Sequence, residues 1–288
     1  MLSLSNIFGN ILKSKKAEKI NVKSEKRETP FYGDELLCAR YYNIDETQYI
    51  DLYVPYKGPL GVWMSGGSDS SMLAFLLAKT IKDHNLDVKI MPMSFKRDNK
   101  PWNLWVSTNV VEQIEKILDI KKGDIFLNHN YCYFGDPGSD DFSSKMEKHI
   151  TMLKTNNLIT IVYSGLTKNP DSTEEDLIDG RVLTRDDPAE LFKDKNAKYV
   201  EEKLISNPFM FQNKLLISDL YKKHDLLETL LPYTRSCEGF IRVTNFFKKS
   251  CGTCWWCKER KWAFNRYVED PLKHIPPSDK MKKECSVV

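Results

Sequence analysis

Apolar residues follow two different spacings from residue 60 onward, and the two spacings alternate along the chain. Short apolar runs that predict buried strands occupy residues 60–64, 88–95, 123–127 and 158–163. Longer stretches that predict helices occupy residues 72–78, 103–118, 140–155 and 214–231. Strands that alternate with helices predict an α/β fold, in which a parallel sheet is covered on both faces and the ligand binds at the carboxyl ends of the strands.

The segments outside this alternation have other patterns. Residues 1–28 place basic residues after a short apolar stripe, and acidic residues interrupt the basic run. This favours a partly disordered extension over a membrane-surface helix. Residues 48–54 alternate apolar and polar side chains and predict a strand or hairpin, whereas the charged residues 171–206 predict a surface insertion or a lid. We expect an N-terminal extension over 1–58, a main domain over 59–235 and a C-terminal region over 236–288.

A glycine turn joins the first apolar run of the main domain to its first helix. Its residues allow backbone N–H groups and a helix N-terminus to converge on an anion. They are Ser65, Gly66, Gly67, Ser68, Asp69, Ser70 and Ser71. The turn lacks the lysine of a Walker loop and the three spaced glycines of a dinucleotide loop. It therefore predicts a different phosphate-binding loop, with a strand-to-helix turn capped by Ser or Asp as the structural alternative.

Four of the seven cysteines form a cluster, namely Cys237, Cys251, Cys254 and Cys257. Gaps of two residues let neighbouring thiolates reach one ion, and a fourth thiolate completes a tetrahedron. The spacing predicts a structural zinc site without an open coordination position. An iron–sulfur cluster and a redox-active cysteine pair are the alternatives.

Charge and hydropathy indicate which partners and which location to expect for the chain. The net charge of +3 comes from 43 basic and 40 acidic residues, a balance that neither supports nor excludes a nucleic-acid partner. No apolar run approaches the ~20 residues that span a bilayer, and no signal-peptide pattern is present. We expect no membrane partner and a reducing, cytoplasmic location. The last four residues, which begin at Cys285, resemble a prenylation signal, and we attribute this to chance. His129 is predicted to be an ordinary polar loop residue.

Two motifs together resemble the 7-cyano-7-deazaguanine synthase (QueC) family of the PP-loop, or N-type, ATP pyrophosphatases. The first motif is Ser-Gly-Gly-x-Asp-Ser at residues 65–70. The second consists of Thr234-Arg235-Ser236-Cys237, Cys251-Gly252-Thr253-Cys254, Cys257, Arg260 and Ala263-Phe264. The resemblance covers residues 59–266. It is weaker at residues 93–97 and 163–171, and the second of these stretches corresponds to the segment with which the family recognises its deazaguanine.

The resemblance implies an adenine nucleotide alpha hydrolase-like fold, with a five-stranded type of parallel sheet and a small zinc-binding helical region. It implies an ATP-dependent carbon–nitrogen ligase that adenylylates a carboxylate or carbonyl and releases AMP and pyrophosphate. In the family, 7-carboxy-7-deazaguanine and ammonia become the nitrile. The implied cofactors are ATP, Mg²⁺ and Zn²⁺. The implied partners are a small-molecule substrate and ammonia, and we expect a homodimer.

The same resemblance assigns roles to individual residues. Residues 65–71 would hold the pyrophosphate end of ATP, with Asp69 nearest the magnesium ion. Lys214 would neutralise phosphate charge, the alternative being a solvated lysine at the start of a helix. The four cysteines would hold zinc. Two other functions stay open: base thiolation in transfer RNA, for which an iron–sulfur cluster and a basic face are expected, and a non-catalytic ATP-binding module.

Overall fold

The computed structural model describes residues 36–95, 102–133, 142–171, 205–239, 249–276 and 278. The extension predicted at 1–28, nearly all of the insertion predicted at 171–206 and the tail around Cys285 lie outside the described residues. The strands are β1 (Leu36–Tyr42), β2 (Tyr49–Pro55), β3 (Lys57–Trp63), β4 (Asp87–Phe95), β5 (Asn130–Cys132), β6 (Val162–Tyr163) and β7 (Ile205–Ser206). The helices are α1 (Ser68–Asp83), α2 (Trp102–Ile117), α3 (Phe142–Thr155), α4 (Lys214–Lys223) and α5 (Trp255–Phe264), with a 3-10 turn at Leu231–Tyr233.

Five of the strands form a parallel sheet in the order β5–β4–β3–β6–β7. At its centre, Gly61 of β3 pairs with Met91 of β4 on one side and with Val162 of β6 on the other. The chain first builds the sheet outward from β3 to β5 and then returns to the other side of β3. This reversal places a crevice at the carboxyl ends of β3 and β6, where ligands of such sheets bind. The predicted α/β fold with a parallel, five-stranded sheet is confirmed.

Helices cover both faces of the sheet. Successive side chains of a strand point to opposite sides, and here both sides carry apolar residues that pack against helices. On one face, Val62 of β3 and Tyr163 of β6 belong to a core that includes buried residues of α1, α2 and α4. On the other face, Met93 and Val162 pack with Leu153 of α3.

The third predicted strand is displaced along the sequence. We expected it at 123–127, but β5 begins at Asn130. Residues 123–127 form only an isolated β-bridge, between Phe126 and Ile90 of β4. Gly123 has a φ of +86°, a left-handed conformation that belongs to a turn. Ile125 and Phe126 are nevertheless buried. Their apolar pattern therefore reports contact with the core rather than strand pairing.

Two other predicted elements are shorter than expected. The run at 158–163 pairs as a strand only over β6, although the N–H of Thr160 still donates to the carbonyl of Pro59 at 2.8 Å. The helix that begins at Lys214 ends at Lys223, because the chain turns at Asp225 with a φ of +57°. None of the helices in the described part of the chain is long and apolar enough to cross a membrane.

The predicted hairpin consists of β1 and β2, which pair antiparallel over their whole length. Ile50, Leu52 and Val54 alternate along β2, are buried, and join the same core as α1. The hydroxyl oxygen of Tyr41 lies 2.6 Å from that of Thr80 on α1. The hairpin therefore packs on the helix that follows the glycine turn.

Candidate functional site

The glycine turn lies at the carboxyl end of β3 and leads into α1. Gly66 has a φ of +77°, and a Cβ atom there would come within 2.6 Å of Val106, so the position requires glycine. Gly67 is the N-cap of α1, and its carbonyl accepts the backbone N–H of Ser71 at 3.1 Å. The turn thus places the N-terminus of α1 at the crevice beside β6.

Side-chain hydroxyl groups hold the turn in shape. Ser71 donates to the carbonyl of Gly67 at 2.7 Å. The hydroxyl oxygen of Ser65 accepts the N–H of Gly67 at 3.2 Å and lies 3.2 Å from the hydroxyl oxygen of Ser70. These bonds are local, so the sequence of the turn is sufficient to set its form.

A pocket of about 300 Å³ opens beside the turn. Four of the seven residues predicted to bind phosphate line it, namely Ser65, Gly67, Asp69 and Ser70. The other three, Gly66, Ser68 and Ser71, support the turn from behind, and both serines are fully buried. The turn therefore offers the pocket backbone N–H groups, hydroxyl groups and one carboxylate, that of Asp69.

The opposite side of the pocket is aromatic. Trp63 and Phe95, at the carboxyl ends of β3 and β4, stack with their ring centroids 4.2 Å apart. Residues 164–167, which follow β6, form a further wall. Gly165 approaches α1 so closely that a Cβ atom would meet the backbone nitrogen of Ser70 at 2.9 Å. The stretches that depart from the family pattern thus contribute to the pocket.

Lys214, the first residue of α4, lies between two carboxylates. Its Nζ is 2.7 Å from Oε2 of Glu259 on α5 and 3.2 Å from Oδ2 of Asp69. The side chain of Lys214 is only 2% exposed, so the alternative of a solvated lysine is wrong. Asp69 and Lys214, the two residues predicted to be catalytic, are therefore brought into direct contact at the pocket wall.

The segment before the first cysteine contacts the glycine turn from the other side. The backbone N–H of Arg235 donates to the carbonyl of Gly66 at 2.7 Å. The hydroxyl oxygen of Ser236 accepts the N–H of Ser68 at 3.4 Å. Burial lowers the pKa of Arg235, whose guanidinium lies 5.1 Å from the ring centroid of Trp102. The second motif therefore supports the first.

The four predicted metal ligands come together, with every pair of their sulfur atoms within 4.8 Å. The sulfurs of Cys251 and Cys257 are 3.9 Å apart. Backbone N–H groups of Cys251 and Gly239 donate to the sulfur of Cys237 at 3.2 and 3.3 Å. The group can hold a metal ion, because four sulfur atoms this close together can all bind one ion.

Helix α5 begins at this cluster, with Cys254 as its N-cap. Arg260 in the same helix is buried and donates to the carbonyl oxygens of Leu231 at 2.8 Å, Pro271 at 2.6 Å and Thr234 at 3.2 Å. Burial also lowers the pKa of Arg260. The arginine of the second motif therefore attaches α5 to the segment that leads into the cluster.

His129 differs from the polar loop residue that we expected. Its Nε2 lies 2.9 Å from the hydroxyl oxygen of Ser94 and 3.3 Å from that of Ser107. Its ring stacks on Tyr131, with the centroids 4.7 Å apart. Burial lowers the pKa of His129 to about 3. Since Ser94 donates to the carbonyl of Met64, a neutral histidine supports the chain just before the glycine turn.

Sequence reasoning missed Glu259 and the stacked pair of Trp63 and Phe95. The two aromatic residues end predicted strands, which is where ligands of a parallel sheet bind, so their positions carried a usable signal. The sequence around Glu259 carried no such signal, because its partner Lys214 is distant in sequence and the two residues meet only through the packing of α4 on α5.

Comparison with known proteins does not assign the chain to a family. No protein-family model matches the sequence, and no curated protein matches it. The U34-tRNA thiolase NcsA from Methanococcus maripaludis, solved with its 4Fe–4S cluster, is similar at 13% identity over 78% of this chain and 75% of that chain, with a TM-score of 0.37. NMN synthetase from Francisella tularensis is similar at 13% identity over 77% of this chain and 90% of that chain, with a TM-score of 0.32.

Proposed function

We propose that this chain binds ATP in the pocket and transfers the adenylyl group to an oxygen atom of a small-molecule substrate, releasing pyrophosphate. The observation that carries the proposal is the ion pair of Asp69 and Lys214 beside a glycine turn at the carboxyl end of the central strand. Such a turn binds phosphate through backbone N–H groups. A neighbouring lysine supplies the positive charge that a pyrophosphate leaving group requires.

Each polar group of the pocket has a role in this proposal. Residues 65–71 bind the pyrophosphate end of ATP, with Ser65, Gly67 and Ser70 at the pocket surface. Asp69 offers carboxylate oxygens to Mg²⁺, which prefers oxygen ligands and supplies further neutralisation of phosphate charge. Lys214 stabilises the charge that develops on the leaving group. Catalysis then consists mainly of positioning and charge stabilisation.

We propose 7-carboxy-7-deazaguanine, with ammonia as second substrate, as the compound to test first. The stacked rings of Trp63 and Phe95 support a flat, aromatic substrate, because such faces pack well against planar ring systems. Another planar carboxylate or carbonyl compound is the alternative, since residues 163–171 match the family pattern only in part and residues 164–167 line the pocket.

We further propose that the four cysteines hold one structural zinc ion. Zinc–sulfur bonds of about 2.3 Å set the edges of a tetrahedron at about 3.8 Å. The distance of 3.9 Å between the sulfurs of Cys251 and Cys257 supports this geometry. In a 4Fe–4S cluster each thiolate binds its own iron atom, so the cysteine sulfurs stand further apart.

Sulfur insertion into a transfer RNA base is a second candidate function. One observation favours it: Cys237, a member of the metal cluster, lines the same pocket as the glycine turn. A sulfur-transferring enzyme would use this closeness through an iron–sulfur cluster. Iron and acid-labile sulfide in the purified protein would support this candidate, whereas one zinc ion per chain would exclude the cluster.

The test is the release of AMP and pyrophosphate from ATP by purified, metal-analysed protein. Ammonium is present throughout, and 7-carboxy-7-deazaguanine is added or omitted. We expect this compound to stimulate release. If release occurs but does not respond to 7-carboxy-7-deazaguanine, the ATP reaction is supported and this compound is rejected as the substrate. Binding of ATP without any release would reject 7-carboxy-7-deazaguanine as the substrate and would leave two candidates, an enzyme for another substrate and a non-catalytic ATP-binding module.

A further inference from the structure

We infer that Glu259 is a positioning residue of the polyphosphate site, because it holds the ammonium group of Lys214 at the wall of the pocket. This inference rests on the proposed function and deepens it. The side chain of Glu259 is 0% exposed, so it acts from behind the pocket, through Lys214. It gives the helix that begins at the cysteine cluster an indirect part in binding the nucleotide, through Lys214.

The two carboxylates that contact Lys214 are not equivalent. Glu259 is closer to the ammonium nitrogen, at 2.7 Å against 3.2 Å for Asp69. Glu259 is also completely buried, whereas the side chain of Asp69 is 21% exposed and lines the pocket. Attraction between charges strengthens where water is excluded. Glu259 therefore sets the position of the lysine, and Asp69 is the partner that can turn to a ligand.

A lysine needs such an anchor if it is to bind phosphate well. Its side chain has four rotatable carbon–carbon bonds, and ordering them on ligand binding costs conformational entropy. The hydrogen bond of 2.7 Å to Glu259 orders the ammonium group within the fold itself, so this cost is met during folding. Glu259 also compensates an ammonium group that burial would otherwise make unfavourable.

The location of Glu259 connects the lysine to the cysteine cluster. Glu259 follows Cys257 by two residues, and both lie in α5, whose N-cap is Cys254. The next residue, Arg260, attaches the same helix to the carbonyl of Leu231. The position of Glu259 is thus set by the same helix that supplies two of the four cysteines.

The experiment is calorimetric titration of the full-length chain with inorganic pyrophosphate in the presence of Mg²⁺. The wild type is compared with Glu259→Gln and with Glu269→Gln, which makes the same charge change at an exposed residue further along the chain. We expect the dissociation constant to rise about tenfold in Glu259→Gln, as for the loss of one charged hydrogen bond. We expect it to be unchanged in Glu269→Gln.

A second readout separates positioning from general damage to the fold. In Glu259→Gln we expect metal content and adenosine binding to equal those of the wild type, and the KM for ATP to rise. Should Glu259→Gln fail to fold, Glu259→Asp replaces it, since the shorter acid keeps the charge and moves the ammonium group. Its pyrophosphate affinity is then expected to fall.

Two results would overturn the inference in distinguishable ways. Equal pyrophosphate affinity in the wild type and the folded Glu259 variant would reject the role of Glu259 and leave the proposed function standing. Absence of pyrophosphate binding by the wild type would reject the proposed function together with the inference.

Discussion

The backbone N–H of Arg235 donates to the carbonyl oxygen of Gly66 at 2.7 Å, and this bond joins the two motifs of the chain. Ser236 adds a contact to Ser68 at the start of α1. The next residue, Cys237, belongs to the metal cluster. The glycine turn and the cysteine cluster therefore form one continuous wall of the pocket. A substitution in either motif should therefore alter the structure of the other.

Replacing Asp69 by alanine should abolish pyrophosphate release. The change removes the one carboxylate of the glycine turn, but Lys214 keeps its bond to Glu259, so we expect the fold to survive. Loss of a preorganised charged group costs roughly 100-fold or more in rate. Pyrophosphate release and thermal unfolding are measured side by side. Asp83→Ala, which removes a surface pair with Lys79, is the control, and unchanged release in Asp69→Ala would refute the assigned role.

Replacing Cys254 by serine should remove the metal and destabilise the protein. The proposed tetrahedral site loses one of its four thiolate ligands. Because metal binding contributes to folding, we expect a loss of several kcal/mol in the free energy of unfolding. Metal analysis and denaturant titration test this. Cys38→Ser, outside the cluster, should leave both values unchanged, and a Cys254→Ser variant with full metal content and stability would contradict the prediction.

Replacing Gly165 by alanine should disturb the pocket without removing a polar side chain. The added Cβ would lie 2.9 Å from the backbone nitrogen of Ser70 and 3.0 Å from the carbonyl carbon of Asp69. Backbone atoms of a helix cannot move aside easily, so the segment after β6 must shift instead. We expect a destabilisation of about 1–3 kcal/mol, as for overpacking elsewhere, and weaker ATP binding. Wild-type ATP affinity in this variant would show that the segment does not shape the site.

Stability should fall as the solution becomes acidic, because His129 is neutral in the folded chain. Its pKa is lowered to about 3 by burial, while an unfolded histidine titrates near 6.5. Below about pH 6.5 the unfolded chain binds a proton that the folded chain does not, so each pH unit removes about 1.4 kcal/mol until the folded pKa is reached. The half-buried His224 and His274 act in the same direction, since desolvation lowers the pKa of each to about 4.

The measurement for this prediction is urea unfolding of the wild type and of His129→Gln, from neutral pH to about pH 5. Glutamine keeps a polar group near Ser94 but does not titrate. The slope of unfolding free energy against pH should therefore be smaller in the variant. Equal slopes in the two proteins would show that His129 does not contribute to acid sensitivity.

Local sequence patterns were sufficient for much of the fold. The apolar run at 60–64 predicted the central strand, because a strand buried on both faces must avoid charge. The helical pattern at 103–118 predicts a buried face of Val106, Val110, Ile114 and Ile117, of which the first three are buried and Ile117 is half-buried. The strand predicted at 123–127 was wrong. Its apolar pattern arises because Ile125 and Phe126 are buried, and burial alone does not distinguish a paired strand from a core-facing loop.

The sequence by itself determined the two motifs, because both are local. Glycine at 66 is required by the backbone of a tight turn, and cysteines two residues apart can reach one ion whatever surrounds them. Only the tertiary structure decided that Lys214 contacts both Asp69 and Glu259, and that Arg235 bonds to Gly66. These contacts join residues distant in sequence, and they depend on how α1, α4 and α5 pack together. No spacing along the chain encodes that packing.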